Sequence, residues 1–463
     1  MKKKTAAQEL IRIKRLKKHN KDSLSARFRA RRAKRQRKHS KAPFMTELNT
    51  VQLNEAEISN EMSNMVINRS LDRVNNLKSF TFPKVFDIFS DPEGALSTIN
   101  ELRSVLLHPH LSQKLKLNHK KVKINSLGSE ALLGLLTSEI VSRRRHQLGE
   151  NLEIEGRFPN DKIAKALVER IGLVCELDDD AFQDASNTEH DSDYHLFRAD
   201  NRYHEGASVK QDKKRKVATD CVDYLEKCMN SHRLTIKSEA QDRMVACLGE
   251  VLDNANEHCG RTKSLWYVRG YFNDIKSTDC KSRYLELTVM NFGNSISENF
   301  LNLPDDSKVK RKAKTYVDRH SNKVSEDALF TVAALQGSMS SKLDKEPTRG
   351  QGSVTLIETF ESIYNDYCAL RDPSGRSKAR AVMNIISGRT VVTFDGRHQS
   401  KVVEKAGGGE VFQMAFNESQ SLADSPDHRN VSTMKNIHFP GLMINIRIPL
   451  QGSTVPLEGV END

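Results

Sequence analysis

The stretch EVLDNANEHC, residues 250–259, lies in an apolar periodic segment and yet carries a dense set of polar side chains. At about 100° per residue, a helix gathers Leu248 and its apolar neighbours three and four positions away into one buried arc. Glu250, Asn254 and His258 fall at roughly 200°, 240° and 280° from Leu248. The pattern predicts an amphipathic helix whose polar stripe faces either solvent or a polar ligand.

The three groups of this stripe suit a magnesium–nucleotide surface. The Glu250 carboxylate can orient an attacking water or accept its proton. The Asn254 amide oxygen is a hard ligand of the kind that Mg²⁺ prefers, and the His258 ring can meet a phosphate. A plain water-exposed helix face explains the same stripe, so the downstream sequence decides between the two interpretations.

A strand-like segment follows at residues 284–296, YLELTVMNFGNSI, and it ends in a turn. Gly293 in that turn permits a backbone conformation or a close approach that other residues resist. Asn291 stands at the end of the strand, where its side chain is placed to contact an adenine edge. One glycine in a strand turn is common, so this element is a weak signal alone.

A second glycine segment, TRGQGSVTLIETF at residues 348–360, runs into an apolar helix. The backbone amides around Gly350 and Gly352 suit a phosphate at the start of that helix. The long insert before it contains the basic run SKVKRKAK (307–314). An insert of about fifty residues between two nucleotide-contact elements predicts an active-site lid.

These three elements, in this order, resemble the boxes of the GHKL superfamily, which includes gyrase B-type ATPases and histidine kinases. EVLDNANEH is similar to the N box, NFGNSI to the D-x-G-x-G box and RGQGSV to the G-x-G box, and FPGLMINIRIPL resembles the terminal strand of histidine-kinase ATP domains. The resemblance covers residues 213–450. It implies a C-terminal Bergerat-type α/β two-layer sandwich, a mixed sheet with helices on one face, that binds ATP and Mg²⁺.

The resemblance also implies roles for individual residues. Glu250 matches the catalytic residue that positions water, Asn254 the Mg²⁺ ligand, and His258 a polar position beside the phosphates. Asn291 matches the adenine-contacting position. The glycines of the two boxes are Gly293, Gly350 and Gly352.

Three positions differ from the family pattern. Asn291 replaces an aspartate and offers both a donor and an acceptor. Ser295 replaces the second glycine of its box, and Leu442 stands where histidine kinases often place a threonine. These differences concern adenine recognition more than phosphate binding.

The upstream region 81–180 alternates strand-like and helix-like segments, which predicts a small α/β domain. KVKINSLGSEALLGLL, residues 121–136, resembles the strand, serine turn and helix of STAS-like domains. In anti-sigma systems such a serine is phosphorylated by a GHKL kinase. Ser126 and Ser129 are therefore candidate phosphoacceptors, and the alternative is that they cap the following helix.

Charge is concentrated at the start of the 463-residue chain. Residues 1–41 hold eighteen Lys and Arg against two acids, a local +16, so the rest carries −4 of the net +12. Like charges this dense predict a basic disordered tail that contacts nucleic acid or only solubilises the chain. The remaining segments are interpreted as a linker or peripheral helix (42–80), a polar linker (181–212) and a C-terminal tail (451–463).

The chain has no apolar stretch of membrane-spanning length, and its seven cysteines form no C-x-x-C pair. We therefore expect a cytoplasmic protein with no membrane partner. The expected function is a Mg-dependent ATPase whose nucleotide-driven lid closure controls a protein partner. The alternatives are a protein serine kinase of the anti-sigma type and a non-catalytic nucleic-acid-binding regulator with a nucleotide-sensing Bergerat domain.

Overall fold

The computed structural model describes most of the chain after the basic tail. The described residues are 57–65, 78–171, 173–177, 188–191, 196–201, 210–230, 234–257, 265–273, 284–337, 352–369, 381–404, 410–449 and 454–456. The predicted tail of residues 1–41 lies outside them. No helix within these ranges is both long and apolar enough to cross a bilayer.

The upstream unit alternates short strands and helices. Its elements are α1 (Glu57–Glu61), β1 (Ser79–Thr81), β2 (Val85–Phe86), α2 (Pro92–Leu106), β3 (Lys114–Asn118), β4 (Ile124–Asn125), α3 (Leu127–Leu148), β5 (Glu153–Arg157), α4 (Lys162–Arg170) and α5 (Leu173–Glu176). Strands β1, β3 and β5 form a parallel sheet in the order β1-β3-β5, and β2 pairs with β4 in parallel. The predicted α/β character of this region is confirmed. Strand β3, a short KLKLN strand whose two leucines are buried, was not predicted from the sequence.

The peripheral helix expected within residues 42–80 is instead part of the core. Ile58 of α1 and Met62 just after it are almost completely buried. The backbone N–H groups of Ile58 and Ser59 donate to the Glu139 carboxylate of α3 at 3.0 and 2.8 Å. Carboxylate acceptance of amides at a helix start is favourable, so α1 is fixed against α3.

The downstream unit is built on a large sheet. Its elements are β6 (Thr188–Asp191), β7 (Leu196–Asp200), α6 (Lys210–Asn230), β8 (Leu234–Ile236), α7 (Ser238–Glu257), β9 (Leu265–Asn273), β10 (Tyr284–Phe292), α8 (Ile296–Leu301), α9 (Lys308–His320), α10 (Glu326–Ala334), α11 (Gly352–Ala369), β11 (Val382–Gly388), β12 (Thr390–Phe394), β13 (Lys401–Glu404), β14 (Glu410–Gln413), β15 (Val431–Thr433), β16 (Phe439–Pro449) and β17 (Thr454–Pro456). The sheet has eight strands in the order β15-β12-β11-β16-β10-β9-β7-β6.

Every pairing in this sheet is antiparallel. The expected mixed sheet is therefore wrong for the described strands. The physical reason is the position of β16, which inserts between β10 and β11 and runs opposite to both. The parallel pairings belong to the separate small sheets of the upstream unit.

Two expected boundary segments also contribute strands. Residues 181–212, interpreted as a polar linker, supply β6 and β7 at one edge of the sheet, and residues 451–463, interpreted as a tail, supply β17 against β8. All five residues of β7 are buried although its sequence, LFRAD, includes two charges. The Arg269 side chain on β9 offsets one of these charges, because it lies 3.7 Å from Asp200, and it also donates to the backbone oxygen of Ala199.

The large sheet is covered on both faces. Along β9, Trp266 and Val268 pack in one apolar core with α6, α7, α9, α10 and α11. Their neighbours Leu265 and Tyr267 pack in a second core with the upstream unit. Helices on one face only were expected, and that part of the expectation is wrong because the upstream unit covers the opposite face.

A buried polar junction fixes the upstream unit to the centre of the sheet. The Glu286 carboxylate on β10 accepts the N–H of Leu127, the first residue of α3, at 2.6 Å and pairs with Arg447 on β16. Beside it, the Asn445 side chain links Thr288 and Asn384. Strand β10 thus contacts the upstream unit through one face and the downstream helices through the other.

Candidate functional site

Helix α7 carries the predicted polar stripe. Leu248, Val251 and Leu252 are buried against the sheet, whereas Glu250 is exposed and Asn254 is half-buried. The division into a core arc and a polar stripe is therefore confirmed for these residues. His258 lies outside the described residues.

Two helices flank α7 and constrain its polar groups. On one side the Lys214 ammonium of α6 forms a hydrogen-bonded ion pair with the Asp253 carboxylate. On the other side Arg243 donates to the Ser362 hydroxyl of α11. Asp253 is therefore engaged in a structural ion pair, which the sequence analysis did not predict because its partner lies on a different helix.

We call the end of the sheet at which Phe292 pairs with Leu265 and Gly441 the box end, and the opposite end the far end. Strand β16 ends at the far end, where Pro449 pairs with Tyr284, and β17 follows it in the chain. Strand β8 pairs with β17, so α7, which follows β8, starts near the far end. Only residues 258–264 separate the last turn of α7 from Leu265 at the box end. The C-terminal half of α7, with Glu250 and Asn254, therefore points to the box end.

Helix α11 runs in the opposite direction. Strand β12 starts at Thr390 near the box end. Phe394 and then Gly396 lie progressively farther from the box end. The Phe360 ring lies 6.3 Å from the Phe394 ring, and one turn later Tyr364 lies against Gly396. Because higher residue numbers in α11 lead away from the box end, the helix begins there, at Gly352.

The three box-like segments therefore converge. The second half of α7, the end of β10 and the start of α11 all lie at the box end. The two helices cover the face of the sheet that is opposite the upstream unit. Among the predicted site residues, Glu250, Asn254, Asn291, Gly293 and Gly352 belong to these segments. Gly350, like His258, lies outside the described residues.

Asn291 lies in a cross-strand row at the box end. It pairs directly with Trp266 on β9 and with Leu442 on β16, and Leu442 pairs with Ser387 on β11. Directly opposed residues present their side chains on the same face, so the four form one row beneath the helices. The Asn291 side chain is only 4% exposed and makes no hydrogen bond within the described part of the chain.

Two glycines shape the backbone around Asn291. Gly293 has a φ of 140° and Gly441 a φ of 122°, which are conformations that favour glycine. A Cβ at Gly441 would lie 2.1 Å from the Asn291 carbonyl oxygen, so the two strands approach too closely for a side chain there. The prediction that Gly293 serves a special backbone conformation is thus confirmed.

Ser295 has a structural role at the start of α8. It caps α8 with both bonds of a capping box: its hydroxyl accepts the N–H of Glu298 at 3.2 Å, and its own N–H donates to the Glu298 carboxylate at 2.7 Å. Glycine at this position would lose the hydroxyl acceptor. The S-x-x-E spacing of residues 295–298 is the sequence signal that indicates this cap.

The space between α7, α11 and the sheet is apolar. A cavity of about 40 Å³ lies there, lined by side chains such as Leu248, Val289 and Phe360. It has about the volume that one water occupies in the liquid, so it is a packing void and not a nucleotide pocket. Burial, with a smaller contribution from the charge of Glu250, raises the pKa of the nearby Cys247 thiol to about 12, which keeps it neutral.

The upstream serines are not accessible. Ser126 and Ser129 are completely buried and their hydroxyls hydrogen-bond each other at 2.7 Å, while Ser126 also accepts the N–H of Ile88. A kinase cannot reach these hydroxyls in the folded chain, so the phosphoacceptor hypothesis is disfavoured. The alternative capping bond is also absent among the described contacts, and the Ser126 hydroxyl is engaged by the Ile88 N–H and the Ser129 hydroxyl instead.

The insert between the two glycine boxes is partly a fixed structure. Residues of α9 and α10 such as Val309, Tyr316 and Leu329 are buried in the core of the downstream unit. This part of the insert is a packed wall, which differs from the mobile lid expected from the sequence. Within the described ranges, no group of three or more His, Cys, Asp or Glu side chains is arranged to hold a metal ion.

Comparison of the chain with protein-family models, with curated proteins and with solved structures finds no match. The geometry at the box end and the chemistry of the residues there are therefore what points to a function.

Proposed function

We propose that the downstream unit binds Mg-ATP at the box end of its sheet and hydrolyses it. The observation that carries this proposal is the convergence of α7, the end of β10 and the start of α11 at one end of the sheet. These are the segments whose sequences resemble the N, D-x-G-x-G and G-x-G boxes.

Asn291 is the proposed adenine contact. Its carboxamide offers a donor and an acceptor side by side, which complements the donor and acceptor edge of adenine. It is buried in the row between Trp266 and Leu442, and it makes no hydrogen bond within the described residues. A ligand that hydrogen-bonds to both groups of this amide gains affinity and specificity.

Glu250 and Asn254 are the proposed phosphate-side residues. Their carboxylate and amide oxygens are hard donors one turn apart on α7, and this chemistry fits Mg²⁺. Asn254 would hold the ion, which when bound neutralises phosphate charge. Glu250, exposed on the same helix, would orient the attacking water and accept its proton.

The finer architecture is part of the same proposal. We regard the downstream unit as a Bergerat-type domain whose sheet is antiparallel and covered on both faces, and the upstream unit as STAS-like, on the strength of the box segments and of the strand–serine–helix segment at 121–136. The nucleotide state would act on a protein partner, and residues 1–41 would add a contact to nucleic acid. The burial of Ser126 and Ser129 argues for hydrolysis over transfer of phosphate to these serines.

Phosphate release from Mg-ATP tests the proposal. Glu250→Gln removes the carboxylate, and we expect turnover to fall about a hundredfold or more while binding is retained. Asp242→Asn, at an exposed position earlier in α7, is the matched control and should keep wild-type turnover. Equal turnover in Glu250→Gln and wild type would refute the assigned role, and label transfer to protein in place of free phosphate would favour the serine-kinase alternative.

A further inference from the structure

A second cleft lies away from the box-end residues. It measures about 270 Å³ and is formed by α9, the end of α10 and strand β14. Its lining includes no residue of α7, β10 or α11. The volume is near the lower end of the range for small-molecule sites, roughly 300 Å³ and above, so it suits a small ligand.

The walls of this cleft are held by hydrogen bonds. The Gln336 amide donates to the Met414 carbonyl at 2.8 Å and accepts the Met414 N–H at 2.9 Å. The Gly337 N–H donates to the Phe412 carbonyl at 3.1 Å. On the opposite side, the His320 ring lies 3.0 Å from the Leu422 carbonyl oxygen. The walls of the cleft are therefore fixed by hydrogen bonds within the chain.

The Tyr316 hydroxyl is a buried donor without a partner. Tyr316 lines the cleft and is 9% exposed, and its hydroxyl has no hydrogen-bond partner among the described residues. Burial raises the pKa of Tyr316 above its ordinary value, so the group stays protonated. Leaving such a group unpaired is costly, which indicates a missing acceptor.

Two cations flank this hydroxyl on the same face of α9. Lys312 and Arg319 stand four residues before and three residues after Tyr316, a spacing that places them on one helix face. Both line the cleft, and neither forms an ion pair within the described ranges. No carboxylate lines the cleft to neutralise them.

The other polar groups of the cleft are already engaged. The Thr315 hydroxyl donates to the Arg311 carbonyl at 3.0 Å, and the Gln413 amide donates to the Gln420 carbonyl at 2.7 Å. The donors left for a ligand are therefore the Lys312 ammonium, the Arg319 guanidinium and the Tyr316 hydroxyl. Phe412 and Val411 supply an apolar surface beside them.

We propose that this cleft binds a small organic phosphate. The phosphate lies between Lys312 and Arg319 and accepts a hydrogen bond from the Tyr316 hydroxyl. Lysine and arginine together suit a doubly charged phosphate, and a guanidinium matches its geometry with two parallel bonds. The organic part lies against Phe412 and Val411. The site is independent of the ATP site, because no residue is shared.

Calorimetric titration of the full chain tests the proposal, with ribose 5-phosphate and uridine 5′-monophosphate as probes and ribose and uridine as uncharged controls. We expect at least one phosphate to bind and neither control to bind. Lys312→Met and Arg319→Met should each weaken binding about tenfold or more. Lys314→Met, an exposed lysine of the same helix outside the cleft, should leave affinity unchanged. Absence of binding by both phosphates, or equal losses in Lys314→Met and Lys312→Met, would overturn the proposal.

Tyr316→Phe supplies a second readout that separates ligand binding from folding. Its melting temperature should match or exceed that of wild type, because the hydroxyl has no internal partner to lose, while phosphate affinity falls severalfold. A lower melting temperature with unchanged affinity would show that the hydroxyl serves the fold. Asn254→Ala should leave phosphate binding intact, which distinguishes failure of this site from failure of the ATP site.

Discussion

Glu130 in the upstream unit allows a quantitative prediction about pH and stability. Its carboxyl is 1% exposed, accepts a bond from the Asn125 amide at 3.0 Å and lies 3.9 Å from the His119 ring nitrogen. The His119 ring stacks on Phe82 at 3.8 Å between centroids. Burial raises the pKa of Glu130 from 4.5 to about 7 and lowers the pKa of His119 from 6.5 to about 3.

The raised pKa of Glu130 determines how the stability of the protein changes with pH. The folded state holds this proton more tightly than the unfolded state, so its stabilisation is complete below pH 4.5 and is lost as pH rises to about 7. At about 1.4 kcal/mol per pKa unit, the full loss is about 3 kcal/mol. Glu130→Gln retains an acceptor for Asn125 and has no charge to bury. We therefore expect the variant to be more stable than wild type by about 1 kcal/mol at pH 5 and about 3 kcal/mol at pH 8.

Urea unfolding at pH 5 and pH 8 measures this difference. Glu153→Gln is the control: its side chain is 64% exposed, and its change should stay within about 0.5 kcal/mol at both values. His119 is neutral at both pH values, so the variant loses no ion pair. If Glu130→Gln is less stable than wild type at pH 8, an attractive partner holds the carboxylate ionised, and the burial argument is refuted.

Two glycines and one cap give further tests by chemical unfolding. Gly128→Ala should destabilise the protein by about 2 kcal/mol, because its Cβ would lie 2.1 Å from the buried Asn445 amide oxygen, whereas Gly249→Ala in open space on α7 should stabilise by about 1 kcal/mol. Equal effects would contradict the packing of the upstream unit on the sheet. Ser295→Ala should cost about 1 kcal/mol through loss of the bond to the Glu298 N–H, and an unchanged unfolding midpoint would contradict the capping role.

The elements with strong local periodicity were predictable. The Leu248 arc of α7 and the exposed position of Glu250 follow from a spacing that any amphipathic helix repeats. Strands β3 and β7 were harder to predict, because KLKLN is short and LFRAD contains two charges, of which Asp200 is paired with the distant Arg269. Long-range partners of this kind leave no local signal.

The arrangement of the candidate site was only partly predictable. The three box segments could be identified from the sequence, but only the resemblance predicted that they lie close together. The pairing of β8 with β17 and the position of α11 show that they do. The upstream unit covers the second face of the sheet partly through the hydrogen bond from the Leu127 N–H to the Glu286 carboxylate. These two residues are far apart in the sequence, so no local pattern indicates the contact. The basic run of α9 was visible, while the cleft beside Tyr316 needs walls from β14, about a hundred residues later.

The most direct test of the central claim is a calorimetric titration of wild type and Asn254→Ala with ATP, in the presence and absence of Mg²⁺. If the box end is a Mg-nucleotide site, wild type binds ATP in a Mg-dependent way, and Asn254→Ala, folded to the same degree by circular dichroism, loses that dependence with about a tenfold or greater loss of affinity. ATP binding that is absent in wild type, or that is identical in the two proteins with and without Mg²⁺, would contradict it.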